Sequence, residues 1–321
     1  MLTIRTAVDA VALYPARADD NTQLEFLLKP ELSLKGKVEG FGVEPGTFQG
    51  TITPVVLSGS ATVSGDPFPL EFQVKAPLQV VYLKLLPAFD QALDEFGLVI
   101  EKAAVLAQLI QVAQRDYQGI NVVFTYDYPE DYEEFAVVEI GAHDPNGTNL
   151  FGLDNTAGKD VGNLRFDDVV GGFNADTRAS NSAAYGGVFV AEFLNLSMAL
   201  SGSSLASSRF DEIFAPIAPA LGGVPASPGE ASSNTLRGAV IMEAIRVLGN
   251  LIGNTVSHEV GHTLGLAAID GQFHNIGDNP GWIMDAGSYR PFEERAEIDG
   301  YGPSFFSPFN RGYLERILPL E

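Results

Sequence analysis

The chain contains no cysteine, which excludes disulfide staples, thiolate metal sites and a cysteine nucleophile. That absence does not fix a compartment, because secreted domains of ordinary size fold without disulfides. Basic residues are also scarce: 19 Lys and Arg stand against 41 Asp and Glu, a formal net charge of −22 over 321 residues. A chain so acidic repels phosphate backbones and anionic lipid surfaces at long range, so no nucleic-acid partner is expected. The surplus fits a solvated acidic exterior or bound cations. Long apolar runs are missing too. The opening residues, MLTIRTAVDAVALYPARADD, are interrupted by Arg5, Asp9 and Pro15 and do not read as a signal-peptide core. The most apolar helix candidate carries Glu243 and Arg246, so no membrane span is expected. Histidine is rare, four in all, yet three of the four fall within 17 residues.

What is present suffices for a core: 45% of the residues are apolar, and the chain is long enough for one large domain and a smaller companion. Residues 1–76 mix short β-branched and aromatic runs with Gly, Pro, Ser and Asp, as in TITPVVLSGSATVSGDPFPLEFQVKAPL, and read as a small antiparallel β-sandwich or barrel. From residue 77 the character changes. LQVVYLKLL (78–86) reads as a strand, GLVIEKAAVLAQLIQVAQRDY (97–117) has helical apolar spacing, and INVVFTYDY (120–128) returns to strand. A strand–helix–strand order of this length predicts two parallel strands with the helix across one face. FAVVEIGAH (135–143) and YGGVFVAEFL (185–194) supply further strands, the second placed at a sheet edge. Residues 201–233 read as a short helix around Phe210 followed by a flexible linker. A long helix, capped by Ser233 or Asn234, then runs to about Leu264 with the apolar stripe Ile241, Ile245, Leu248 and Ile252. The predicted class is α+β: a twisted mixed sheet with a backing helix and one long helix (77–321), preceded by a small all-β domain (1–76).

The chemistry concentrates in TVSHEVGHTLGLAAIDGQFHN (255–275). His258 and His262 are four residues apart, about 400° of helical rotation, so both imidazoles leave one helix face and suit a single tetrahedral ion. Glu259 can reach past such an ion to a water without ligating the metal itself. Zinc lowers the pKa of its water toward about 7, and the glutamate takes the proton as a polarised carbonyl is attacked. Gly265 allows the left-handed turn that would stop the helix there.

HEVGHTLG followed by WIMDAG resembles the metzincin clan of zinc metalloendopeptidases over roughly residues 77–321. The resemblance implies His258 and His262 as zinc ligands, Glu259 as the general base and Met284 as the methionine of the turn beneath the metal. It also implies an edge strand that pairs with an extended protein or peptide substrate, and a secreted or cell-surface location. The clan's third-ligand position is here Ala268, and a methyl group cannot bind zinc. The ligand then comes from His274, ten residues before Met284 and delivered by a bulged loop at AAIDGQF, or from Asp270, which is closer to the usual position, with Asp278 a further alternative. A glutamate on a downstream helix, Glu293 or Glu294, would instead match the gluzincin arrangement. If no ligand replaces Ala268, the chain is a binding or adhesion protein on an inactive protease-like scaffold.

Three further features complete the reading. Tyr289 lies near the turn and would donate to an oxyanion or sit at the surface. His143 follows a strand and reads as a turn residue. Asp144, Asn146, Asn149, Asp154 and Asp160 crowd one loop and offer oxygen ligands for calcium or, equally, Asx turns.

Overall fold

The computed structural model describes residues 2–5, 10–13, 46–52, 55–58, 60–74, 77–132, 134–156, 167–174, 184–266 and 274–320. The chain divides into two compact units, Met1–Pro77 and Leu78–Leu320, where its composition changes.

In the first unit, β1 (Leu2–Arg5), β2 (Ala10–Leu13) and β3 (Gly46–Ile52) join β6 (Phe68–Val74) in an antiparallel sheet of order β2-β1-β3-β6. β4 (Val55–Ser58) and β5 (Ala61–Ser64) form a separate antiparallel ribbon. Every element described in this unit is a strand. β5 exposes every side chain, which a strand in the inner layer of the expected sandwich would not do.

The second unit is α+β around a mixed sheet. β7 (Gln79–Leu85) is followed by α1 (Phe89–Glu95), α2 (Lys102–Asp116), β8 (Val122–Thr125) and β9 (Ala136–Gly141). β7 pairs in parallel with both β8 and β9. The helix of this β-α-β unit forms because Val105, Leu109, Val112 and Ala113 repeat at helical spacing and bury one face. Two-residue strands follow: β10 (Gly152–Leu153), β11 (Val169–Val170), β12 (Phe173–Asn174) and β13 (Ala184–Tyr185), then β14 (Gly187–Phe189). β11 pairs in parallel with β9, and β12 pairs with β13. The main sheet has the order β10-β14-β9-β7-β8, with β14 parallel to β9 and β10 antiparallel to β14.

This order corrects the edge-strand expectation. Residues 185–194 do not form one edge strand. Tyr185 ends β13 in a separate two-stranded ribbon, β14 lies inside the main sheet, and Val190–Leu196 winds into a 3-10 helix with Val190, Ala191, Phe193 and Leu196 buried. A continuous apolar run does not distinguish a buried strand from a buried helical turn. The antiparallel edge is β10, from the loop-rich stretch between β9 and β14.

The 201–233 stretch is packed in this fold and is not a free tether. α3 (Ser208–Phe214) buries Phe210, Ile213 and Phe214. Ile217, Ala218 and Ala226 join the core, the Ala226 N–H donates to the Gly97 carbonyl, and Arg237 donates to the Val224 and Pro225 carbonyls. Within it Gly223 lies so close to its neighbours that an added Cβ would stand 2.5 Å from the Ala215 carbonyl oxygen, an approach that the local sequence does not reveal.

α4 (Leu236–Thr263) is the central element, buried continuously from Val247 to Ser257 and again from Glu259 to its end. Its N-cap is Thr235, whose side chain accepts from Gly238 N–H, one residue beyond the expected capping pair. Its end is a Schellman turn: Gly265 has φ +84°, its N–H donates to His262 O, and Leu266 N–H donates to Gly261 O. Gly249 and Gly253 face α2 so closely that an added Cβ would lie 2.5 Å from Gln108 Cβ and 2.6 Å from Val112 Cβ. By length and composition α4 is long and apolar enough to cross a membrane, and 72% of that window is buried inside the fold. Two short helices, α5 (Phe292–Ala296) and α6 (Pro308–Ile317), close the unit.

Candidate metal centre

His258 and His262 occupy the last two turns of α4, and their Nε2 atoms approach to 3.1 Å. The backbone beneath them is fixed from α2: Tyr117 OH donates to Ser257 O at 3.0 Å, and Ser257 OH donates to buried Asp116 at 2.8 Å. At the helix end Tyr313 OH donates to Leu264 O. His274 arrives from the loop after the helix. Its ring stacks on His258 with centroids 5.2 Å apart and meets His262 edge-on at the same separation. One ligand atom from each ring lies within 4.8 Å of the others, an arrangement that can hold a metal ion. Two nitrogens on one tetrahedral zinc stand about 3.3 Å apart, given metal–nitrogen bonds of about 2.0–2.1 Å, so the 3.1 Å separation fits the pair.

The protonation states suit ligation. His258 Nδ1 lies 2.6 Å from the Ile283 carbonyl; the ring donates there and keeps its Nε2 lone pair for the centre. Burial, then the two neighbouring imidazoles, hold the His258 pKa well below its ordinary value, with Arg290 adding to the depression and the Ile283 carbonyl opposing it. The ring is therefore neutral near pH 7. Arg290, itself 1% exposed, donates to the same Ile283 carbonyl as well as to Glu294 and Ser304.

Met284 is buried directly under α4. A Cβ added at Gly261, between the two helical histidines, would fall 2.5 Å from Met284 Sδ. The same turn anchors His274. Asn275 N–H donates to Met284 O at 2.9 Å, and the Asp285 carboxylate accepts from Asn275 Nδ2 and from Asn279 N–H. Asn275 and Asp285 therefore clasp the loop to the turn, a tie between segments ten residues apart that no short-range pattern announces.

Glu259 is 5% exposed and lies against the edge strand, where a Cβ on Gly152 would come 2.5 Å from its Oε1. Glycine at this strand position leaves room for the carboxylate, and an isolated glycine in a strand is the one sequence signal for such an approach. The three histidines, Glu259, Asp285 and Arg295 share a cavity of about 380 Å³ whose wall includes residues 149–154 and thus β10, within the usual size of ligand clefts.

The remaining candidates fall elsewhere. Asp270 and Ala268 lie outside the described residues. Asp278 is exposed and is not in the histidine group. Glu294 pairs with Arg290 at 2.8 Å and Glu293 accepts from Ser207 OH, so neither takes the gluzincin role. Tyr289 is 50% exposed and does not line the cavity. The Asp144 carboxylate closes on its own loop as an Asx turn, accepting from Asn146, Thr148 and Leu150. Asp160 is outside the described residues, and no second ligand cluster forms among the described ones. His143 pairs with Glu95 and Glu192 at the surface.

Comparison with protein families, with curated proteins and with solved structures gives no match to this chain.

Proposed function

We propose that the protein is a zinc-dependent endopeptidase. One observation carries the reading: three imidazoles converge on one point beside a nearly buried glutamate, in a cleft walled by an antiparallel sheet edge. His258, His262 and His274 would hold the zinc, with Met284 packed beneath α4 at the metal ligands. Bound zinc supplies a Lewis acid for the scissile carbonyl and lowers the pKa of water toward about 7. Glu259 accepts the proton of the attacking water and passes it to the leaving amine, so hydrolysis needs no acyl-enzyme. The outer side of β10, which pairs with no further strand among the described residues, offers main-chain hydrogen bonds to an extended peptide. A protein or peptide substrate, metzincin-like ancestry and a secreted or cell-surface location belong to the same proposal.

The alternative, a binding or adhesion protein on a protease-like scaffold, is motivated by Ala268 and by the N-terminal β unit; the grouping of His274 with the two helical histidines favours the enzyme. The test is metal content by mass spectrometry together with casein hydrolysis. Glu259→Gln is expected to keep one zinc per chain and to lose about 10²–10⁴-fold in turnover, the usual contribution of a general base. His274→Ala is expected to lose the zinc. Full hydrolysis by Glu259→Gln would remove the base, and zinc retained in His274→Ala would remove the third ligand.

A further inference from the structure

Among the described residues Arg295 is the only lysine or arginine on the cavity wall, in a chain where such residues are few. It is 6% exposed. Its Nε donates to Arg290 O at 3.0 Å and its Nη2 to Gly287 O at 2.9 Å, while the guanidinium lies over the Phe151 ring at 5.2 Å. Two carbonyls and one aromatic face therefore fix the plane of the group. Among the described residues no acceptor meets Nη1.

The charge around it is not balanced locally. Burial, then the neighbouring Arg290 charge, push the Arg295 pKa down to about 9, and only Glu294 and Glu259 pull it back. Glu294 is committed to Arg290 at 2.8 Å. Glu259 is committed, on the reading above, to the proton of the attacking water, and Asp285 to Asn275 and Asn279. A desolvated guanidinium held rigid by its own backbone contacts, with an open donor edge, is a carboxylate receptor, because charge-assisted paired hydrogen bonds are strongest where water is excluded.

We propose that Arg295 is the specificity residue of this cleft and selects a substrate carboxylate next to the scissile bond. The carboxylate is supplied by an Asp or Glu side chain or by a free C-terminus. The proposal rests on the endopeptidase reading for its substrate class, and its test separates the two.

The zinc-loaded full-length chain is incubated with a peptide library in two forms, with free and with amidated C-termini, and the cuts are read by mass spectrometry. Asp and Glu are expected to be enriched at one subsite, with Glu favoured over Gln by roughly tenfold or more in kcat/KM. Enrichment that persists in amidated peptides assigns the side chain; cuts confined to residues beside free C-termini assign the terminal carboxylate. Arg295→Met is expected to abolish the preference while still cutting neutral sequences, and Arg295→Lys to keep part of it. No acidic preference in the wild type overturns the proposal even if the variants fail to fold. An Arg295→Met protein that cuts all sequences more slowly but with unchanged preference overturns it as well, leaving Arg295 a positioning residue for Glu259. If the wild type cuts nothing, the peptidase reading fails, and the receptor is tested by titration calorimetry with N-acetylglutamate amide and N-acetylglutamine amide. Binding of the first alone, lost in Arg295→Met, supports it; equal or absent binding overturns it.

Discussion

His258 is shaped for one protonation state. Its Nδ1 is held by the Ile283 carbonyl and its half-buried ring is desolvated beside two more imidazoles, so its pKa lies well below the ordinary 6.5. Below that ordinary value the unfolded chain takes up a proton that the folded chain refuses. The stabilising contribution is therefore present above about pH 6.5 and is lost as pH falls beneath it. Zinc competes for the same lone pairs. Zinc occupancy and the melting temperature are expected to fall together between about pH 7 and 5; full occupancy at pH 5 would contradict the assignment. Gly152 is the other decisive residue. In Gly152→Ala the new methyl would stand 2.5 Å from Glu259 Oε1 and 2.8 Å from Thr255 Cγ2, so the carboxylate or the edge strand must move. Hydrolysis is expected to drop about tenfold or more with zinc retained, since small misplacements of reacting groups are costly.

At the scale of elements, α4 works as a beam whose C-terminal turns carry His258 and His262, and its position depends on the close crossing with α2. Alanine in place of glycine inside a helix normally stabilises by about 1 kcal/mol. At Gly253 the new Cβ would lie 2.6 Å from Val112 Cβ and 2.9 Å from the Leu109 carbonyl, a backbone atom that cannot swing aside. Overpacking of this kind costs about 1–3 kcal/mol and overrides propensity. Gly253→Ala is therefore expected to lower the urea midpoint, whereas Gly312→Ala in α6, where nothing lies within 4 Å, is expected to raise it. Two shifts of the same sign would mean that the helix crossing is looser than described.

At the scale of the molecule, the two units differ in what a metal can do for them. All three histidines belong to Leu78–Leu320, and no comparable cluster forms among the described residues of Met1–Pro77. A ligand that binds only the folded state at a thousand times its Kd adds about 4 kcal/mol to stability. Calorimetry with and without a chelator is therefore expected to show one transition that moves with zinc and one that does not. A single transition shifting as a whole would show that the units unfold together.

Composition, periodicity and spacing determined much of this protein. The alternation of strand and helix between residues 78 and 141, the helix bearing His258 and His262 on one face, and the stop at Gly265 are legible because each depends on residues within a turn or two of one another. The tertiary structure decided the rest. It took the sheet edge from residues 185–194 and gave it to Gly152 and Leu153, packed the stretch read as a linker, and brought His274 to the two helical histidines through the Asn275–Asp285 clasp. It also placed Arg295 in the cleft, although nothing near it in the chain distinguishes it from Arg290 five residues earlier. These outcomes depend on contacts between segments distant in sequence, and such contacts are selected by the packing of the whole core.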